Sequence, residues 1–252
     1  MSNQFVKKKI GAIRKIIRRT ANRFGYDVCK SFRYWIEPPE ILNLAIRSIQ
    51  HEDFFFVQVG AHDGVSYDPI RPYILEYKWR GILVEPQRRM FSSLQKNYKD
   101  NKHLILENCA IVNTDGPVNL YRPKQRAKGR TAPDTLASIL PVQLEGDLEE
   151  ESVAGMTLSS LLQKHKVQRL DFLQVDAEGF DDQIVSQALG LPEMLRPRVM
   201  HFEIDWLAEK KIITLYKELT CHGYRIHHGK GYPGNDTVAV RQSATFPYLA
   251  RE

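Results

Sequence analysis

The chain has 252 residues, 42% hydrophobic and 26% charged, with a formal net charge of +6 and three cysteines. That composition excludes a wholly disordered chain, a collagen-like repeat and a disulfide-stapled miniprotein, and no apolar run approaches the ~20 residues of a membrane-spanning helix. Cys29, Cys109 and Cys221 stand far apart without a CxxC pair, so they read as reduced thiols of a cytoplasmic protein rather than as a zinc site.

The positive charge belongs to one end. Residues 1–34 hold ten Lys and Arg against one acid, Asp27, and the rest of the chain is mildly acidic. A nucleic-acid-binding body is not indicated, because its footprint would be a basic face on the fold itself. Val6, Ile10, Ile13 and Ile17 recur at helical spacing, which predicts a basic amphipathic helix ending near Gly25. Its charges interrupt any secretory apolar core. Two readings stay open: the isoleucines pack on the domain, or residues 1–24 hold the protein peripherally at the anionic inner face of a membrane. Residues 1–50 are accordingly read as a basic helix and linker, and 51–252 as one α/β domain.

From residue 54 apolar strands alternate with helical patterns, the signature of a parallel sheet with helices on its faces. Phe54 to Gly60 is a nearly continuous apolar run, as a strand buried on both faces should be. A helix over Pro69–Tyr77, a strand over Gly81–Pro86, a helix over Arg88–Tyr98 and a strand from Leu104 follow. Val118–Tyr121 reads as a further strand or hairpin arm. Residues 122–153 break the alternation with a basic stretch and then an acidic one, and a loop this long predicts a substrate lid. Thr157 is the expected N-cap of a helix carrying Leu158, Leu161 and Leu162. Leu170–Asp176 and Arg198–Asp205 are the next strands, and Ile212, Leu215, Tyr216 and Leu219 mark a helix ended by Gly223. Tyr224–His228 and Thr237–Arg241 are the last two strands.

The chemistry concentrates at strand ends. Val57-Gln58-Val59-Gly60-Ala61-His62-Asp63-Gly64 ends a strand and opens a helix, and its glycines let the backbone turn tightly and approach a ligand. Glu85 stands at the tip of the next strand, where an acid can bind both ribose hydroxyls of a nucleoside. The spacing is GxxxG, without the middle glycine that GxGxxG uses at a pyrophosphate, and there is no GxxxxGK[ST] loop. A nucleoside cofactor without phosphates, such as S-adenosylmethionine, fits this pattern. Its carboxylate can use the amides around Gly60–Gly64, and Asp63 can pair with its ammonium.

Val59-Gly60-Ala61-His62-Asp63-Gly64, Leu83-Val84-Glu85-Pro86, Asn108-Cys109-Ala110-Ile111-Val112, Met156-Thr157-Leu158 and Leu173-Gln174-Val175-Asp176-Ala177-Glu178-Gly179 follow one another in that order. This ordered set resembles the FkbM-type methyltransferases, class I S-adenosylmethionine-dependent O-methyltransferases. Gln58 departs from the acid that many class I enzymes carry there. The resemblance implies a Rossmann-like, doubly wound, mostly parallel seven-stranded sheet. It also implies methyl transfer to a hydroxyl of a sugar, glycan or secondary metabolite. The expected cofactor-binding residues are Gly60, His62, Asp63, Gly64, Glu85, Pro86, Asn108 and Ala110.

Asp176 and Glu178 end the fourth strand beside the expected cofactor crevice. Their spacing of two places them on one side if the strand persists, one as base and the other orienting the acceptor. Capping of the following helix by Asp176 is the structural alternative. His201, Glu203 and Asp205 alternate along the fifth strand and share a side. Glu203 joins Asp176 and Glu178 as a catalytic candidate, and no ligand cluster demands a metal. Two other functions compete: an NAD-type oxidoreductase, which Glu85 would suit equally, and a non-catalytic nucleoside-binding module docked by its basic arm. The expected partner is a small-molecule or glycan acceptor, with no nucleic acid.

Overall fold

The computed structural model describes residues 38–66, 68–124, 137–141, 144, 147–228 and 236–242. The basic helix expected over Val6–Ile17, and Cys29, lie outside the described residues.

The first described element occupies the end of the stretch read as linker. Helix α1 (Pro38–Ile49) buries Leu42, Ala45, Ile46 and Ile49, an i, i+3, i+4, i+7 stripe that makes it part of the domain body. The chain continues through β1 (Phe55–Val59), α2 (Arg71–Tyr77), β2 (Arg80–Val84), α3 (Arg88–Asn97), β3 (Leu104–Glu107), β4 (Ala110–Ile111), β5 (Gly116–Pro123) and β6 (Leu148–Met156). It ends with α4 (Leu158–Lys164), β7 (Phe172–Val175), α5 (Asp181–Leu189), β8 (Val199–Glu203), α6 (Glu209–Cys221), β9 (Tyr224–His228) and β10 (Asp236–Arg241).

Seven strands form one sheet in the order β3-β2-β1-β7-β8-β10-β9. All its pairs are parallel except those of β10, which runs antiparallel to β8 and β9. The order reverses at β1, which is where open α/β sheets place their ligands, outside the carboxyl ends of the strands. One face buries Val57, Val59, Val84, Leu173 and Val175 against Leu158, Leu161 and Ile184. On the other, Phe56, Ile74 and Trp79 are fully buried or nearly so, with the Phe54 and Trp79 rings stacked at 4.4 Å. Thr157 caps α4 as expected, accepting a hydrogen bond from Ser160 N at 3.1 Å. Among the described residues no helix is long and apolar enough to cross a membrane.

The 122–153 segment is not irregular throughout. Its two ends are strands: β5 pairs antiparallel with β6 from Gly116↔Gly155 to Pro123↔Leu148, and β4 adds in parallel to make a second, three-stranded sheet. One pair of the segregated charges meets across these strands, and a further acid reaches helix α3. Arg122 faces Glu149 at 3.1 Å, and Glu151 reaches Arg88 at 3.2 Å. The cross-strand pair, invisible in one dimension, adds to the backbone ladder that joins this charge-dense stretch. Residues 125–136 lie outside the described residues.

Candidate active site

The strand pairings bring the functional candidates to one level. Val59, Val84, Val175 and Phe202 are in register across β2, β1, β7 and β8. The next residues, Glu85, Gly60, Asp176 and Glu203, therefore stand side by side at the carboxyl edge. They line a cavity of about 650 Å³, together with Ala61, His62, Pro86, Ala110, Glu178 and Trp206. That volume is typical of a small-molecule site.

Gly60 adopts φ +80°, and a Cβ there would lie 1.8 Å from the backbone oxygen of Asp176. Only glycine lets β1 and β7 close at this point. The loop is tied to β2 from both sides: Gly60 N and Ala61 N donate to Val84 O at 3.0 and 2.9 Å. In return, Glu85 accepts from His62 N and Gln87 N, each at 2.8 Å. Glu85 is 3% exposed; burial drives its carboxyl up to about 7, against these two N–H bonds.

Asp63 does not enter the cavity. Oδ1 accepts from Val65 N at 2.9 Å and Ser66 N at 2.7 Å, and Oδ2 from Ser66 Oγ at 2.8 Å. Burial opposes ionisation, but these bonds and the neighbouring His62 outweigh it and hold the carboxyl at about 2. Its job is to shape the loop, and the expected pairing with a cofactor ammonium has no geometry here. Gly64 also stays out of the cavity, at φ +70° with Tyr98 and Leu94 filling the space a Cβ would need. Asn108 supports from behind, donating to Glu85 O at 2.8 Å and Pro86 O at 3.0 Å.

Asp176 and Glu178 both face the cavity, but not by strand alternation. β7 ends at Val175, and Glu178 and Gly179 take left-handed φ values of 48° and 96°. This turn aims the Glu178 side chain, and a non-glycine residue in that region costs about 1–2 kcal/mol. Nor does Asp176 cap α5. Asp181 closes the turn, accepting from Gly179 N at 3.1 Å and Ala177 N at 3.4 Å. Sequence reading missed Asp181, although an acid at the first residues of a helix is the signal for it.

The carboxyls raise one another. Asp176 is open to the cavity on one side and enclosed on the others. This enclosure, with the charge of Asp236, brings it to about 6, His201 acting in the opposite sense; water in the cavity screens part of that effect. Burial and the charges of Asp176 and Asp181 push Glu178 to about 8, against a hydrogen bond from Trp206. Burial and four neighbouring carboxylates push Glu203 to about 9. His201 lies buried under this edge, Nδ1 at 2.6 Å from Gln174 Oε1. Asp205 is exposed beyond the end of β8. Among the described residues no group of three or more His, Cys, Asp or Glu is arranged to hold a metal ion.

Asp181 is 1% exposed, and burial raises it to about 7. A raised carboxyl favours folding while protonated in both states, below the unfolded value near 4, and that stability is lost as pH rises through about 7. The stability of Asp181→Asn relative to the parent should therefore climb by on the order of 1–3 kcal/mol between about pH 5 and about pH 8. Chemical denaturation at the two pH values measures this, and a constant difference would mean that Asp181 does not titrate on folding.

The residues fit a nucleoside without a pyrophosphate. A buried acid stands at the β2 tip, backbone can approach closely at Gly60, and Pro86 and Ala110 provide apolar wall. Fold and site together have the form of a class I methyltransferase domain. Residues 58–226 match the family model of the Methyltransferase FkbM domain, and the chain belongs to that family. In fold it is similar to methyltransferase FkbM from Methylobacillus flagellatus KT, at 14% identity and a TM-score of 0.51, over 75% of this chain and 44% of that one. The chain thus spans less than half the length of that protein. Two more distant likenesses are Aeropyrum pernix fibrillarin, crystallised with natively bound S-adenosyl-L-methionine, and the N-terminal domain of human METTL16 in complex with SAH. The fibrillarin match has a TM-score of 0.42 at 14% identity, over 79% of this chain and 74% of that one. The METTL16 match has a TM-score of 0.42 at 12% identity, over 88% and 77%. Among curated proteins none matches the sequence significantly. Family membership sets aside the NAD-type oxidoreductase.

Proposed function

We propose that this methyltransferase acts on a hydroxyl of a sugar, glycan or secondary metabolite. The observation that carries the reading is the arrangement along one sheet edge: Glu85 at the β2 tip, and Asp176, Glu178 and Glu203 two and three strands away in the same cavity. In this reading Glu85 receives the ribose hydroxyls of the cofactor, the Gly60–His62 backbone approaches its amino-acid end, and Pro86 and Ala110 border its base. When bound, S-adenosylmethionine supplies a methyl group already activated on a sulfonium. The protein's part is to align the acceptor and take its proton.

At neutral pH Asp176, at about 6, is ionised, whereas Glu178 and Glu203, at about 8 and 9, keep their protons. Asp176 is then the proton acceptor, and the two glutamic acids donate hydrogen bonds to acceptor oxygens. A polyhydroxylated compound offers both kinds of partner. Ala137, Ser138 and Ile139 also wall the cavity, with Ser138 Oγ donating to Glu178 O at 2.9 Å, so the 122–153 segment supplies acceptor contacts. The test is methyl transfer from labelled S-adenosylmethionine to matched hydroxyl and amine acceptors. Methyl ethers are the expected products, and transfer to nitrogen alone would overturn the reading.

A further inference from the structure

One wall of the cavity remains without a task. It is formed by Gln58, Ser66, Asp68 and Pro69, on the chain leaving β1 and approaching α2. Gln58 lies inside the apolar run of β1 and is 3% exposed, and its Oε1 is buried with no hydrogen-bond partner. An unpaired acceptor in a central strand costs stability unless something else satisfies it.

Asp68 stands against it. Its Oδ1 accepts from Ile70 N at 2.9 Å and Arg71 N at 3.1 Å, which fixes the turn into α2. Its Oδ2 is buried, and the carboxyl also takes a hydrogen bond from the Gln58 side-chain amide, which lowers its pKa. Arg71 offsets part of the Asp68 charge, while its hydrogen bonding goes to the loop: Nη1 donates to Gly64 O at 2.9 Å, and the guanidinium lies 5.3 Å over the Tyr98 ring. Burial raises Asp68 above the ordinary carboxylate range even against its hydrogen bonds and the charge of Arg71. One wall of the cavity therefore holds an amide whose oxygen is unpaired and a carboxyl held up by burial, a pairing suited to a donor that carries positive charge.

We infer that Asp68 and Gln58 receive the ammonium of the cofactor's methionine moiety, Asp68 as counter-charge and Gln58 Oε1 as a second acceptor. The inference rests on S-adenosylmethionine occupying this cavity as proposed above. It explains how a chain with an amide at position 58 and with Asp63 committed to its own loop still neutralises an ammonium. The acid has moved ten residues along the chain and returns to the same wall through the turn before α2.

Calorimetry on the full chain with two ligands tests this. S-adenosylhomocysteine carries the amino-acid end, and 5′-methylthioadenosine lacks it. Asp68→Asn keeps an oxygen for the Ile70 and Arg71 amides and removes the charge. It should weaken S-adenosylhomocysteine about 10- to 100-fold and leave 5′-methylthioadenosine within about twofold, which also reports that the variant is folded. Equal losses for both ligands would make Asp68 purely structural, and undiminished S-adenosylhomocysteine binding would remove it from the site; either overturns the inference. If the parent chain bound neither ligand, the cavity assignment itself would fall instead.

Discussion

Asp176→Asn is expected to lower kcat about 10²–10⁴-fold while S-adenosylhomocysteine affinity stays within a few-fold. The substitution preserves size and much of the hydrogen bonding and removes the basicity. Position matters as much as chemistry: Asp176 N donates to Val59 O at 3.0 Å, so its backbone is an extension of the β1–β7 pairing and does not depend on the side chain. The pH–rate profile adds an independent readout. A base at about 6 must be deprotonated, so the rate should rise through that pH. It should fall again as Glu178 and Glu203 lose the protons they hold up to about 8 and 9. In Asp176→Asn the acid limb should vanish. Full turnover in the variant would move the search for the base to Glu178 and Glu203.

Among the described glycines compared, Gly60→Ala should be the most damaging substitution. Its Cβ would sit 1.8 Å from Asp176 O, and that atom belongs to backbone that cannot rotate away. Relief requires β1 and β7 to part where the cavity begins, and the positive φ adds its own strain. We expect a loss on the order of 3–5 kcal/mol in chemical denaturation, with cofactor binding abolished. Gly223→Ala separates the two causes. It shares the left-handed backbone, at φ +79°, but its Cβ would meet nothing within 4 Å, so only the conformational cost of about 1–2 kcal/mol applies. Equal losses in the two variants would show that the close approach at Gly60 carries no energy of its own.

The two results would bear on different parts of the site, and the sequence speaks to them unequally. The level of the strand tips was legible: strands read as Phe54–Gly60, Gly81–Pro86 and Leu170–Asp176 end at Gly60, beside Glu85 and at Asp176, where an open α/β sheet has its crevice. That reasoning placed Gly60, Glu85 and Asp176 beside one crevice, and alternation along Arg198–Asp205 supplied Glu203, which the β7–β8 register brings to the same edge. It went astray where a local rule met a tertiary competitor. Glu178 was placed by strand alternation, yet the strand stops at Val175 and a left-handed turn delivers the side chain. Residues 122–153 read as one long loop, yet both ends are strands and Glu149 faces Arg122 across them. The stripe of Leu42, Ala45, Ile46 and Ile49 had helical spacing throughout, but its burial depends on a sheet formed more than a hundred residues later.

By itself the sequence determined the class of the protein. Hydrophobic period settles which segments are strands and helices, and the short motifs at strand ends depend only on neighbours along the chain. What it could not decide is which acid serves which purpose. Asp63, Asp68, Asp176 and Asp181 are alike in composition, and each stands at or near the end of a strand or the start of a helix. Asp63 spends both oxygens on its own loop, Asp181 on the turn before it, and Asp68 keeps one oxygen buried against Gln58. Those differences arise from the packing of β1, β7 and their loops around one cavity. Hydrogen-bond satisfaction and desolvation are properties of that enclosure, not of any stretch of chain.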